Sequence, residues 1–222
     1  MELSIEAASD DVGIALSVDG TVAMTATWRT QQNQSVELLP NIDRLLTEAG
    51  RTKDDIGAVF VDVGPGGYAG LRVGVSIAKA LAHALGVPIA GIGRLEVDAY
   101  GAAAEAGGRR IVAVHRAGRG EAAWAAYRDG GGWREELPPR ISKSEVLYEA
   151  IGAGDAVTGD IDDELAAVVQ RADAAAVSSH QHRVMALAAL GHRRLADGRV
   201  DDAASLVPLY LRAPAIGPQR AG

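Results

Sequence analysis

The sequence predicts an α/β protein built as two similar lobes, and three observations carry that expectation. Residues 2–28 hold three β-type runs, LSIEAAS, GIALSV and TVAMTATW, split by SDDV and DG, which reads as an antiparallel meander. From there to residue 106, helices of 3.6 spacing alternate with short apolar strands. The second half opens with strand-like runs again and then alternates helix and strand, so duplicated α/β lobes follow, residues 1–108 and 109–222, divided at Gly107 and Gly108.

The elements can be justified in order. In SVELLPNIDRLLTEAG the apolar positions Leu38, Leu39, Ile42, Leu45, Leu46 and Ala49 keep helical spacing. Ser35 can cap the start of this helix, Gly50 the end, and Pro40 fits best in the first turn. Residues 56–63 then read as a strand, 71–85 as a helix, 87–92 as a strand and 95–106 as a helix. Beyond the glycine pair, RRIVAVHR, EAAWAAYRD and WREELP are strand-like, with GGG as the turn before the last. Helices are expected over 144–151, 162–171 and 181–197, with AVTGD and AAAVSS as short strands between them.

Length and charge narrow the function classes. A chain of 222 residues accommodates two compact lobes of about 110 residues each. Its formal charge of −7 gives no global positive field to gather phosphate backbones, so nucleic acid would need another subunit's charge. With no cysteine there is no disulfide, thiolate metal site or thiol nucleophile. The start MELSIEAASDD carries acids where a signal peptide has basic and apolar stretches, and the uncharged run 80–93 is too short to span a bilayer, so a cytoplasmic protein is expected.

GPGGYAGLRVG, residues 64–74, lies between a strand and a helix and invites a phosphate-binding reading. A Walker loop needs Lys-Ser/Thr after its last glycine, and Leu71-Arg72 stand there instead. GPGGYA fits the dinucleotide pattern, but no acid occurs between Asp62 and Glu96 to hold a ribose, and three meandering strands precede it. The helix that follows is more informative. Gly70, Gly74, Ala78 and Ala82 recur every four residues beside an apolar row of Val73, Ile77 and Leu81, and Lys79 is the only formal charge between Val73 and Gly93. Such a helix is buried on more than one side. Its small-residue edge suits close approach by a second element, either a partner's or the chain's own.

These stretches resemble the bacterial TsaB (YeaZ) family. SVELLPNIDRLLTEAG followed by AVFVDVGPGGYAGLRVGVSIAKALAHALGVPIAGIGRLEVDA is similar to that family's HSExLLPxIxxLLxxAG and GPGSFTGLRIGxxxAKGLA, and PLYLRAP at 208–214 to its P-x-Y-L-R ending. GRGEAAWAAY matches more loosely. The resemblance implies a two-lobe actin/Hsp70/sugar-kinase-like (ASKHA) fold with duplicated ribonuclease H-like lobes that has lost its own chemistry. It implies a non-catalytic partner of a TsaD-type catalytic subunit, which acts with a TsaE-type ATPase to place threonylcarbamoyl on the tRNA adenosine beside the anticodon. Homodimerisation when alone and tRNA contact only through the complex are implied too. The family's partner surface uses the two helices named above, so Leu38, Leu39, Ile42, Tyr68, Gly70, Leu71, Arg72, Gly74, Val75, Ala78 and Ala82 are the expected interface residues. Gln34, Gly67, Tyr68 and Ala69 depart from the family pattern, and IEAAS replaces I-D-T-S near the start.

No catalytic residue, cofactor or metal is expected. In the first hairpin turn, AASDDVG, no glycine or hydroxyl follows Glu6 at the offset a phosphate loop needs, and Asp10 and Asp11 would repel a polyphosphate. This argues against the alternative of a different class, an ATP-dependent phosphotransferase or ATPase of the ASKHA superfamily. His180 and His182 are two apart and do not face each other on a helix. Ser178 and Ser179 read as helix caps, and His83 and His115 as structural. A peptidase reading finds no G-x-S-x-G or HExxH. Arg109, Arg110, Arg116 and Arg119 make a local basic patch that reads first as a solvated face; Trp124, Tyr127 and Trp133 read as cross-strand packing.

Overall fold

The computed structural model of the chain describes residues 1–178 and 183–210. Strands β1 (Glu2–Glu6), β2 (Asp11–Val18) and β3 (Thr21–Arg29) form the meander, followed by α1 (Gln34–Glu48), β4 (Ala58–Gly64), α2 (Tyr68–Leu85), β5 (Ile89–Gly93) and α3 (Arg94–Ala106). The second half runs β6 (Arg110–Gly118), β7 (Glu121–Asp129), β8 (Trp133–Lys143), α4 (Ser144–Ala150), β9 (Ala156–Gly159), α5 (Asp163–Arg171), β10 (Ala175–Ala176) and α6 (Arg183–Ala196).

Two sheets result, ordered β3-β2-β1-β4-β5 and β8-β7-β6-β9-β10. In each the first three strands are antiparallel and the last two run parallel to the first, so the second sheet repeats the first strand for strand. This is the duplicated α/β architecture expected from the order of elements. β4 shows why its sequence is an unbroken apolar run. Val59 and Val61 pack toward α1 and α2, while Ala58 and Phe60 pack toward α6, so both faces are covered. Each large side chain buried there contributes about 1.5–3 kcal/mol.

The helices that end each half are exchanged. α3 packs on β6, β7 and β9 of the second sheet, α6 packs on β1, β2, β4 and β5 of the first, and the two helices lie against each other. Gly191 of α6 faces the Phe60 ring so closely that no side chain would fit. Between α3 and β6 the chain passes through Gly107 and Gly108, at φ 59° and 80°.

Local expectations for α1 need correcting. The helix begins at Gln34, with Asn33 in the cap position and no side-chain cap bond, so Ser35 lies inside the first turn. Gln34 is buried against Gly70 of α2, which draws it into the helix. Pro40 sits in the second turn rather than the first. The carbonyl its missing N–H would have bonded belongs to Val36, an exposed residue whose backbone water can reach. Gly50, at φ 65°, ends the helix as expected. α2 begins at Tyr68, three residues before the expected start at Leu71. Among the described residues no helix is long and apolar enough to cross a membrane.

Candidate functional site

Two backbone donors of the glycine loop are committed inside the chain. Gly67 N donates to Ala8 O at 2.7 Å, and Gly64 N to the Asp62 carboxylate at 2.7 Å. A side chain at Gly66 would collide with the Ala8 carbonyl, and one at Gly70 with the Ala7 carbonyl. A Cβ on Gly74 would lie 3.1 Å from the Ala7 Cβ. The loop and the small-residue edge of α2 therefore lock that helix onto the end of β1. Of the two readings left open for this edge, the close contact that Gly70 and Gly74 require is made inside the chain.

The eleven expected interface residues divide in two. Leu38, Ile42, Gly70, Leu71, Gly74, Val75, Ala78 and Ala82 are buried within the chain's own core, because they carry the sheet-facing sides of α1 and α2. Leu39 (49% exposed), Tyr68 (43%) and Arg72 reach solvent, beside Val36 (68%) and the half-buried Val73 and Ile77. Arg72 lies 5.3 Å from the Tyr68 ring centroid and donates to the Tyr68 hydroxyl at 3.0 Å.

A strap that periodicity could not reveal completes this side. After α6 the chain returns to the first sheet: Asp201 accepts from Gly91 N at 2.8 Å, Leu209 N donates to Val63 O at 2.7 Å, and the Tyr210 ring lies 5.0 Å from that of Tyr68. Lys79 Nζ donates to Leu206 O at 2.8 Å and to Ala204 O at 3.2 Å, which explains the one charge in the apolar stretch after Arg72.

Between the lobes lies an ionic cluster that the sequence reading missed. Glu6 ends β1 and Asp62 lies near the end of β4; both are fully buried. Glu6 accepts from Ala8 N at 3.0 Å, while its Oε2 and the Asp62 Oδ2 have no partner among the described residues. Burial, and then the neighbouring Asp62 charge, push Glu6 up to about 8; burial raises Asp62 to about 7. Asp98 binds Arg183 at 2.5 Å and Arg94 at 3.4 Å, and Arg94 lies 3.6 Å from Asp160. His115, expected to be structural and alone, meets Asp160 at 2.8 Å. Burial opposes the Asp160 charge, but bonds from His115 and Arg116 N, with Arg94 beside it, hold that carboxyl below the usual range.

Chemically, the cluster holds buried carboxyls that prefer a proton, and its arginines are already matched to acids. No free cation stands ready for a polyphosphate among the described residues of this cluster. The signal that could have found it is positional: strand ends β1, β4 and β9 and the first turns of α3 and α6 converge where open α/β sheets place their sites.

The remaining expectations fall into place around these two regions. Arg110 pairs with Asp155 at 3.3 Å, Arg116 with Asp162 at 3.7 Å, and Arg109 donates to the carbonyls of Ala106 and Glu105 at the end of α3. The basic patch is thus largely committed within the chain. His83 is exposed on α2 rather than built into the core. Trp124 and Tyr127 are buried, and Trp133 stacks on Tyr127 at 5.5 Å. Ser179, His180, His182 and residues 211–214 lie outside the described residues.

Two repeated mixed sheets with exchanged helices define an α/β protein of the two-lobe actin-like class. Residues 28–216 match the family model described as TsaD, tRNA N6-adenosine threonylcarbamoyltransferase. Over 149 residues the chain is 32% identical to the tRNA threonylcarbamoyladenosine biosynthesis protein TsaB of Escherichia coli (strain K12), covering 66% of this chain and 64% of that protein. It is 32% identical over 141 residues to the TsaB of Bacillus subtilis (strain 168), covering 62% and 59%. The chain thus spans about three-fifths of the length of these curated relatives. In fold it is similar to YeaZ from Pseudomonas aeruginosa, with a TM-score of 0.75, 23% identity, and 95% and 99% of the two chains covered. The chain belongs to the TsaD-type family, on its TsaB (YeaZ) side.

Proposed function

We propose that this chain is a non-catalytic subunit that binds and supports a TsaD-type catalytic protein in threonylcarbamoyl transfer to the tRNA adenosine beside the anticodon. The observation that carries the reading is the unburied apolar side of α1 and α2, formed by Val36, Leu39 and Tyr68, in a chain whose interlobe cluster has no uncommitted cation among the described residues. An exposed apolar patch rimmed by polar residues suits a protein partner. Its core members would be Leu39, Tyr68 and Arg72, with Gly70, Gly74, Ala78 and the other buried residues shaping it from beneath. The lobes 1–108 and 109–222 would act as one support, since their terminal helices are exchanged. A TsaE-type ATPase, tRNA reached only through the complex, a cytoplasmic setting and self-pairing of the isolated chain belong to the same proposal.

The test is co-purification with TsaD, followed by tRNA modification assayed with and without this chain. Val36→Asp with Leu39→Asp should abolish co-purification while the melting temperature holds, because both positions are exposed. An unaltered complex, or full modification without the chain, refutes the reading.

A further inference from the structure

We propose that Glu2, Asp19 and His192 form a binding site for one divalent transition-metal ion of the zinc class. Three elements converge there: β1 supplies Glu2, the β2–β3 turn supplies Asp19, and α6 supplies His192 after crossing from the second half of the chain. One ligand atom from each lies within 4.8 Å of the others.

The arrangement is built rather than incidental. Glu2 is buried, accepts from Ser17 Oγ at 2.6 Å and Gly20 N at 3.2 Å, and meets His192 Nδ1 at 2.7 Å. These bonds fix the carboxylate. Asp19 adopts a left-handed conformation, φ 50°, ahead of Gly20 at φ 72°, as a two-residue hairpin turn requires. A Cβ on Gly20 would lie 3.0 Å from the His192 Cβ, so the turn and the histidine are packed in contact. Asp19 has no hydrogen-bond or ion-pair partner among the described residues, and no Lys or Arg among them pairs with Glu2, whose partner is the His192 imidazole. Two carboxylates with a single imidazole leave an excess of negative charge that a divalent cation would neutralise.

The donor set selects the metal. Imidazole nitrogen and carboxylate oxygen are both zinc donors, and three protein ligands leave a fourth position for water, whereas magnesium and calcium prefer all-oxygen shells. Zinc ligands stand about 3.3 Å apart for bonds of about 2.0–2.1 Å, so the Glu2–His192 contact would open by about half an ångström. Bound there, the ion would staple α6 to the sheet of the opposite half.

Untagged full-length chain is dialysed free of metal and titrated with Zn²⁺, and with Co²⁺ for its visible spectrum. The expected result is one ion per chain, Co²⁺ bands of a four-coordinate N/O site, and a rise in melting temperature with Zn²⁺. Asp19→Asn tolerates the left-handed turn, and His192→Gln keeps a hydrogen bond toward Glu2; each should weaken binding at least tenfold while the apo protein stays folded. No stoichiometric uptake by the unaltered chain, or uptake that both variants retain, overturns the site. Retained uptake would place the ion elsewhere in the chain.

Discussion

Arg183 Nε meets Asp98 Oδ1 at 2.5 Å while Arg94 Nε approaches the other oxygen, Oδ2, at 3.4 Å, so one buried carboxylate holds the first turns of α6 and α3 together. Removing one member of a buried, hydrogen-bonded pair leaves its partners charged and unmatched. Asp98→Ala should therefore cost about 3–5 kcal/mol of stability, measured by urea unfolding, and more than Arg183→Ala, which removes a partly exposed cation. Equal, small losses would mean that the exchanged helices are held by packing alone.

Glu6 sets how stability responds to pH. Its carboxyl rises from 4.5 to about 8 in the folded chain, through burial first and then Asp62, with Arg94 and Arg183 acting the other way. A raised acid means that the folded state binds more protons than the unfolded state across that window, so its stabilising effect is complete below the unfolded value and is lost as pH climbs through the folded one. Stability should fall between about pH 5 and pH 8 by up to about 1.4 kcal/mol per unit for this proton. Glu6→Gln keeps the acceptor for Ala8 N and should flatten the slope, making the variant the more stable protein at pH 8. Parallel slopes for the two proteins would refute the assignment.

Gly70 offers a test in which helix propensity and packing oppose each other. Alanine is favoured over glycine inside a helix by about 0.5–1 kcal/mol. At this position, however, a Cβ meets the Ala7 carbonyl, a backbone atom that cannot turn aside. Gly70→Ala should lower stability by about 1–3 kcal/mol in thermal melts. A stabilised variant would show that α2 is free to move off β1.

These cases mark where the sequence is transparent. The unbroken apolar run of β4 and the three meandering runs made the succession of elements readable, because periods of 2 and 3.6 are local properties. The four-residue recurrence of Gly70, Gly74, Ala78 and Ala82 was equally visible, but periodicity reports that an edge is covered and not by what; here Gly70 and Gly74 meet Ala7, just past the end of β1. Pro40 was placed a turn too early since only tertiary contact, the burial of Gln34, fixes where α1 begins. The interlobe cluster was illegible for a different reason. Residues 6, 62, 94, 98, 160 and 183 are brought together only by the exchange of α3 and α6, which no local pattern encodes.

Lys79 gives the last prediction, because it ties the returning strap to α2 through the carbonyls of Leu206 and Ala204. A methionine there keeps the apolar stem but loses the ammonium and both its hydrogen bonds, and the net cost of such partly solvated bonds is about 1 kcal/mol. The loss should be local: Lys79→Met should speed amide hydrogen exchange over residues 203–210, including Leu209 N at Val63 O, while β1 and β4 keep their protection. Since Tyr210 lies on Tyr68 at one end of the proposed partner surface, the same variant should weaken TsaD co-purification less than the Val36 and Leu39 changes do. If exchange over the strap is unchanged, its attachment rests instead on Leu206, which packs against the core that α2 covers, and Leu206→Ala becomes the change that releases it.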